Sequence, residues 1–194
     1  MSAQTIKAAA LRLFAGSGYD GVPLSEIAKE VGIKTPSLYA HFTSKDDLFM
    51  AVFEDVLAEH AERLEDLMRR LEGRSVEERL HTILHDTCHT YLLSENHVTF
   101  LKRTMLFPPA ALKEKLLERF EESEKRLNVL LKQIFQDGLR SGHLRTAESA
   151  DDLVMSFYCL LDGMFIQQFY YRPDDWEHRL QTVWRIYWQG LAAK

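Results

Sequence analysis

Apolar residues recur at intervals of three and four along almost the whole 194-residue chain. This spacing places them on one face of an α-helix, whereas a half-buried strand would alternate apolar and polar residues. No segment shows sustained alternation between turn residues, so the sequence predicts an all-α fold. Glycine, proline and capping residues divide the pattern into nine predicted helices, three short ones at the N-terminus and six behind them. Three of the later helices are predicted to be capped by Ser44, Ser75 and Thr146.

Residues 24–48 contain two short helices separated by a tight turn. The first is predicted over about residues 24–31, Gly32 makes the turn, and the second runs from Thr35 to about His41. This order is typical of the helix-turn-helix, whose second helix enters the major groove of DNA. Compact polar residues cover the outward face of that second helix. They are Lys34, Thr35, Ser37, Tyr39 and His41.

The same stretch resembles the N-terminal signature of the TetR (tetracycline-repressor) family. The residues that carry the resemblance are Ile27-Ala28-x-x-Val31-Gly32-Ile33, then Leu38-Tyr39-x-His41-Phe42-x-Ser44-Lys45-x-x-Leu48. The resemblance extends over about residues 5–50. It implies a DNA-binding regulator with an N-terminal three-helix head and a C-terminal helical part, and it does not imply an enzyme.

Residue roles follow from this resemblance. The residues that it places at base edges are Lys34, Thr35 and Ser37. The residues that it places at phosphates are Tyr39, His41 and Lys45. Val22 and Pro23 stand where the family usually has serine or threonine, so the hydroxyl for one phosphate is missing. The backbone amide of Leu24 is expected to supply part of that contact.

The charge distribution is uneven along the chain. The net charge is −5, which excludes a protein that binds nucleic acid through bulk positive charge. Residues 1–45 carry five basic and three acidic side chains, whereas the remainder carries 19 basic and 26 acidic ones. We therefore predict a DNA-binding domain over residues 1–47 and a ligand-binding and dimerisation domain over residues 48–194.

The second domain is expected to hold a small-molecule effector. A mixture of aromatic and polar candidates indicates an apolar or amphipathic ligand. The predicted pocket residues are Tyr91, Phe100, Arg103, Thr104, Phe107, Phe120 and Phe165. Aromatic residues crowd the last two helices, which favours a subunit interface there, and the resemblance implies a four-helix bundle between two copies. The predicted interface residues are Phe157, Leu161, Gly163, Trp184, Tyr187 and Trp188.

These patterns together predict a ligand-responsive repressor. A homodimer would bind a palindromic operator, and a small effector would release it by tilting the fourth helix. Repression is the usual mode in the family, although the residues themselves leave activation open. Double-stranded DNA, the effector and a second copy are the expected partners, and no cofactor is predicted.

Two other functions compete with this interpretation. His81, His85 and His89 recur at intervals of four on one helix face, and histidines at that spacing can ligate a transition metal. No carboxylate spacing completes an obvious catalytic zinc site, so a partly solvated face explains them better and no metal is predicted. The first competing function is a helical metalloenzyme that uses these histidines. The other is an adaptor that acts through protein contacts.

Two further patterns bear on cofactor and location. The glycines of residues 16–21 match G-x-G-x-x-G but follow a helix, so they predict a turn instead of a dinucleotide site. No apolar run approaches the roughly 20 residues of a membrane span, and the N-terminus shows no signal-peptide pattern. Cys88 and Cys159 lie far apart in the sequence. A cytoplasmic protein without membrane contacts is expected.

Overall fold

The computed structural model describes residues 2–90, 95–167 and 170–193. Within these ranges the chain forms nine helices and no β-strand, as the apolar spacing predicts. None of the described helices is long and apolar enough to cross a bilayer. The helices are α1 (Ala3–Ser17), α2 (Leu24–Glu30), α3 (Thr35–Leu38), α4 (Lys45–Arg70), α5 (Val76–Thr90), α6 (Glu95–Leu106), α7 (Lys113–Arg140), α8 (Ala150–Gln167) and α9 (Pro173–Leu191).

The second helix of the helix-turn-helix is shorter than predicted. It ends at Leu38 and not near His41, because the amides of His41 and Phe42 both donate to the Leu38 carbonyl, at 2.9 and 3.0 Å. These two bonds close a tight turn in which Tyr39 and His41 lie. Tyr39 and His41, which are predicted to contact phosphates, therefore lie in the turn that follows the helix.

Two of the three predicted caps are confirmed. The hydroxyl of Ser44 accepts the Asp47 amide at 3.0 Å, and that of Ser75 accepts the Glu78 amide at 3.2 Å. Each bond satisfies an N–H group that has no partner inside its helix.

The third predicted cap, Thr146, is wrong. Ser149 precedes α8, and its hydroxyl accepts the Asp152 amide at 3.2 Å. The Asp152 carboxylate in turn accepts the Ser149 amide, also at 3.2 Å. This reciprocal pair of bonds satisfies two backbone N–H groups at the start of the helix. Thr146 instead accepts the Glu148 amide and closes a local turn. The helix consequently begins three residues later than expected, at Ala150.

The described helices fall into two compact units. Unit 1 comprises Met1–Glu62 and Ser94–Glu124, and unit 2 comprises Arg63–Leu93 and Lys125–Lys194. Helix α6 thus groups with the three N-terminal helices although it lies far along the sequence. The domain boundary at residue 47 stays a prediction.

Phenylalanines form the centre of unit 1. Phe14 of α1, Phe49 and Phe53 of α4 and Phe100 of α6 are almost completely buried. The ring centroids of Phe14 and Phe49 lie 4.9 Å apart in an edge-on arrangement, and those of Phe49 and Phe100 lie 5.2 Å apart. Burying each ring contributes about 1.5–3 kcal/mol. This cluster holds α1 against α4 and α6.

The turn of the helix-turn-helix depends on Gly32. Its φ of 72° lies in the left-handed region, which glycine adopts without strain. The Ile33 amide donates to the Ala28 carbonyl at 2.9 Å, and the Gly32 amide donates to the Lys29 carbonyl at 3.1 Å. These bonds form a Schellman motif that ends α2 and turns the chain toward α3. Leu38 then packs in the core of unit 1.

Unit 2 has its own apolar core. Helices α5, α7, α8 and α9 contribute to it. Leu84, Ile134, Phe157 and Leu180 are fully buried there, and Trp184 is nearly so.

Gly32→Ala is expected to lower the free energy of unfolding by about 1–2 kcal/mol, since an L-residue in the left-handed conformation carries that strain. Urea denaturation followed by circular dichroism measures the change. Gly16→Ala is the matched control, because Gly16 lies in α1 and no atom comes within 4 Å of an added Cβ. It should leave the free energy unchanged or raise it by up to about 1 kcal/mol. Equal shifts in both variants would contradict the turn geometry.

Candidate nucleic-acid interface

The predicted base-reading residues lie at the start of α3. Lys34 and Ser37 are exposed and Thr35 is half-buried. The Ser37 amide donates to the Lys34 carbonyl at 2.9 Å, which fixes the first turn of the helix. Short polar side chains on a rigid first turn suit a major groove about 12 Å wide.

The turn after α3 presents two ring side chains to solvent. Tyr39 is 56% exposed and His41 is also exposed. An exposed tyrosine offers a hydroxyl that can donate to a phosphate oxygen, and such contacts position a protein on the DNA backbone. Their exposure agrees with the predicted phosphate role, which stays a prediction.

Lys45, the first residue of α4, is held by an aromatic ring. Its Nζ lies 4.2 Å from the centroid of the Tyr19 ring, within the range of a cation–π interaction. The Tyr19 hydroxyl donates to the Asp46 carboxylate. Burial, followed by the hydrogen bond to Asp46, raises the pKa of Tyr19 to about 12, so the hydroxyl keeps its proton. Tyr19 therefore orients Lys45.

Sequence reasoning placed Tyr19 only in a turn. It lies far from Lys45 along the chain, and no local spacing rule connects an aromatic residue in one loop with a lysine after another. The packing of α1 against α4 brings the two together.

Three lysines of the N-terminal head remain available for phosphates. The other two basic residues are engaged: Lys7 Nζ lies 2.5 Å from Asp55 Oδ2, and Arg12 Nη2 lies 3.1 Å from Glu30 Oε1. Among the described residues, no acidic partner pairs with Lys29, Lys34 or Lys45.

The departure at Val22 and Pro23 has a structural basis. Val22 is fully buried, and Pro23 precedes α2 without a side-chain cap. Leu24 is the first residue of α2, where backbone N–H groups have no partner inside the helix. Its contact with a phosphate stays a prediction.

The predicted pocket residues differ in burial and fall in both units. Phe100 and Thr104 are buried in unit 1, and Phe120 is half-buried there. Phe107, by contrast, is 78% exposed. Phe165 is buried and belongs to unit 2. Tyr91 lies outside the described residues.

Arg103, which the sequence assigns to the pocket, binds α1 instead. Its Nη1 donates to the carbonyls of Ala15 and Gly16, at 2.9 and 2.7 Å. These carbonyls lie at the C-terminal end of α1, where a cation is favoured by the helix dipole. Arg103 therefore ties α6 to α1 within unit 1.

An open cleft of about 360 Å³ lies in unit 1 and shares no residue with the predicted pocket. Residues of α1, α4 and α6 line it, including Leu11 and Val56. An ion pair between His97 Nε2 and Glu59 Oε2, 3.1 Å apart, lies at its edge.

The predicted interface residues divide into buried and accessible groups. Phe157, Leu161 and Trp184 are buried in the core of unit 2 by residues of the same chain. Tyr187 and Trp188 are partly buried against that core. Gly163 is exposed, and no atom comes within 4 Å of an added Cβ.

Two of the three predicted histidines converge on a carboxylate that the sequence did not single out. The rings of His85 and His89 stack with centroids 3.9 Å apart, and both Nε2 atoms face Glu177 of α9. His81 is not part of this group; its ring lies 5.2 Å from the Trp184 ring. Burial, and then the neighbouring His89, lower the pKa of His85.

Comparisons with known proteins identify the N-terminal segment and the fold. Residues 6–52 match the model of the tetR family of bacterial regulatory proteins. The fatty acid metabolism regulator protein of Bacillus subtilis is 25% identical over 137 residues, which are 71% of this chain and 68% of that protein.

Two solved structures resemble the whole chain. One is a protein from Saccharomonospora viridis, described as a transcriptional regulator, in complex with choline; it has a TM-score of 0.80 at 21% identity, covering 99% of this chain and 98% of that one. The other is the regulator FadR from Bacillus subtilis in complex with stearoyl-CoA, with a TM-score of 0.72 at 20% identity, covering 95% and 97%. At these identities the likeness shows the fold.

Lys45→Ala is expected to weaken binding to every DNA sequence and to reduce the salt dependence. If two equivalent lysines of a bound dimer each release about 0.9 counterion, the slope of log K against log salt falls in magnitude by about 2. Fluorescence anisotropy at several salt concentrations measures the slope. Lys132→Ala, which removes the same charge from an ion pair with Asp151 in unit 2, should leave it unchanged. Identical slopes for the two variants would exclude a phosphate contact by Lys45.

Proposed function

We propose that the chain is a transcriptional regulator of the tetR family, which binds a palindromic operator as a homodimer and represses transcription until an effector releases it. The proteins that it resembles are regulators and not enzymes. The observation that carries the proposal is the exposed polar face of α3 and its following turn, together with the Lys45 ammonium at the start of α4, which pairs with no acidic group among the described residues. We expect the protein to act in the cytoplasm, where it reaches DNA.

The rigidity of this surface supports sequence-specific binding. The Schellman turn at Gly32 and the burial of Leu38 fix α3 against the rest of unit 1. In a twofold-symmetric dimer, two such helices would enter successive major grooves about 34 Å apart. Lysines at phosphates set the register, and Lys34 and Ser37 read bases.

An accessible stripe on α8 and α9 supports dimerisation. Met155, Cys159 and Gly163 follow each other at intervals of four on α8 and are all exposed. Ile186 of α9 is 61% exposed. An apolar stripe with small side chains allows two helices to approach closely, and apolar surface of this kind is typical of homodimer interfaces. We propose that this stripe, together with Tyr187 and Trp188, contacts the second copy.

The contact between α6 and α1 offers a route from an effector to the DNA-binding surface. Arg103 and the ring of Phe100 connect α6 to α1, and α1 packs against the helix-turn-helix. A ligand that moved α6 would therefore displace α1 and with it the recognition helix. Movement of α4, which was expected from the sequence, would act on the same core through Phe49.

The effector is proposed to be amphipathic. The similar proteins include one named for fatty acid metabolism, one bound to stearoyl-CoA and one bound to choline. Release requires that the effector bind more tightly to the form of the protein that cannot bind DNA than to the form that can. Moving the ratio of these two forms from 1:99 to 99:1 needs a difference in effector binding free energy of about 5.5 kcal/mol.

The test is a fluorescence anisotropy titration of the protein into DNA from upstream of its own gene, with random DNA as competitor. We expect binding that survives the competitor and is lost when stearoyl-CoA or choline is added. Free coenzyme A, which lacks the acyl chain of stearoyl-CoA, is the control that separates the effect of the chain from that of the coenzyme. Failure to bind any fragment of a genomic library would contradict DNA binding and favour an adaptor.

Ile186→Arg is expected to shift the protein from dimer to monomer, because a buried unpaired charge opposes association. Sedimentation velocity measures the assembly state. Val129→Arg is the matched control, since Val129 is 65% exposed on α7 and lies outside the proposed stripe. A dimer that persists in Ile186→Arg, or that is lost equally in Val129→Arg, would contradict this interface.

A further inference from the structure

Three side chains that commonly ligate metals converge between α5 and α9 in unit 2. The Nε2 atoms of His85 and His89 lie 3.9 and 3.8 Å from Oε2 of Glu177. One ligand atom from each residue lies within 4.8 Å of the other two. In a tetrahedral zinc site with bonds of about 2.0–2.2 Å, ligand atoms lie about 3.4 Å apart. Small rotations of these partly exposed side chains would therefore bring all three to bonding distance.

The ring of His89 is already oriented for ligation. Its Nδ1 lies 3.1 Å from the carbonyl oxygen of His85. A carbonyl only accepts a hydrogen bond, so Nδ1 carries a proton, and in the neutral ring Nε2 is left with the lone pair that a metal ion needs. Metal-ligating histidines typically donate their second N–H in this way, which fixes both the tautomer and the ring.

An ordinary ion pair does not account for the pairing of two imidazoles. The rings are nearly parallel, at 12°, and two imidazolium ions at 3.9 Å would repel each other. Unit 1 has another contact between a histidine and a carboxylate, where His97 Nε2 lies 3.1 Å from Glu59 Oε2. Two imidazole nitrogens within 4 Å of the same carboxylate oxygen suit a shared cation.

We propose that His85, His89 and Glu177 bind one divalent transition-metal ion. Two imidazoles and one carboxylate suit Zn²⁺, Co²⁺ or Ni²⁺, whereas Mg²⁺ and Ca²⁺ prefer oxygen ligands throughout. The two histidines come from α5 and the carboxylate from α9, so the ion joins the two helices. Water completes the coordination, because all three side chains are between 38 and 53% exposed.

Isothermal titration of Zn²⁺ into the metal-free full chain tests the site. We expect one zinc ion per chain with micromolar or tighter affinity. His89→Ala should weaken binding by more than about tenfold, since it removes a ligand and not merely its support. Glu177→Gln keeps the shape of an exposed side chain and should weaken binding similarly while the circular dichroism spectrum stays unchanged.

Two controls separate this site from other ligands. His97→Ala removes a histidine of similar exposure that lies beside a carboxylate in unit 1, outside the proposed site, and it should leave zinc affinity unchanged. Substitution with Co²⁺ should give visible absorption without the near-ultraviolet band of a thiolate ligand, because the exposed Cys159 takes no part. Absence of binding at micromolar zinc, equal affinity in His89→Ala, or a thiolate band would overturn the proposal.

Discussion

The ring of Phe100 in α6 packs against Phe14 of α1 and Phe49 of α4, and the arrangement of unit 1 depends on this contact. Aromatic rings contribute large buried areas, and the edge-on contact between Phe14 and Phe49 adds to the energy of burial. Because α1 also contacts α2, the position of the recognition helix follows from how α1 sits on α4 and α6. The positions of the three N-terminal helices therefore depend on α4 and α6, which follow them in the chain.

The same packing decides which charges can act at DNA. Lys7 and Arg12 of α1 are neutralised by acidic neighbours within unit 1, whereas Lys45 is supported by an uncharged ring that leaves its ammonium able to bind an anion. A modest positive charge on the N-terminal segment is therefore compatible with DNA binding, because Lys29, Lys34 and Lys45 have no acidic partner among the described residues. Arg103 has a different role, since its guanidinium is engaged by the end of α1.

Unit 2 illustrates why aromatic composition alone does not identify an interface. Phe157 and Trp184 fill the core of their own chain, and the accessible stripe consists of smaller residues such as Cys159 and Gly163. On a helix the two sets interleave at neighbouring positions, so only the packing of α8 against α9 shows which set faces outward. The sequence favoured large aromatic residues for the interface because such residues are frequent in interfaces. Their large apolar surface equally favours burial within a single chain.

The sequence by itself determined the all-helical class, the helix-turn-helix and most helix ends, because periodicity, glycine turns and capping boxes act over a few residues. The same local rules missed one helix start, where Ser149 and not Thr146 supplies the cap. Only the tertiary structure decided that Tyr19 supports Lys45 and that Glu177 faces two histidines. Such contacts join residues of different helices, and their formation depends on how whole helices pack, which no short-range pattern encodes.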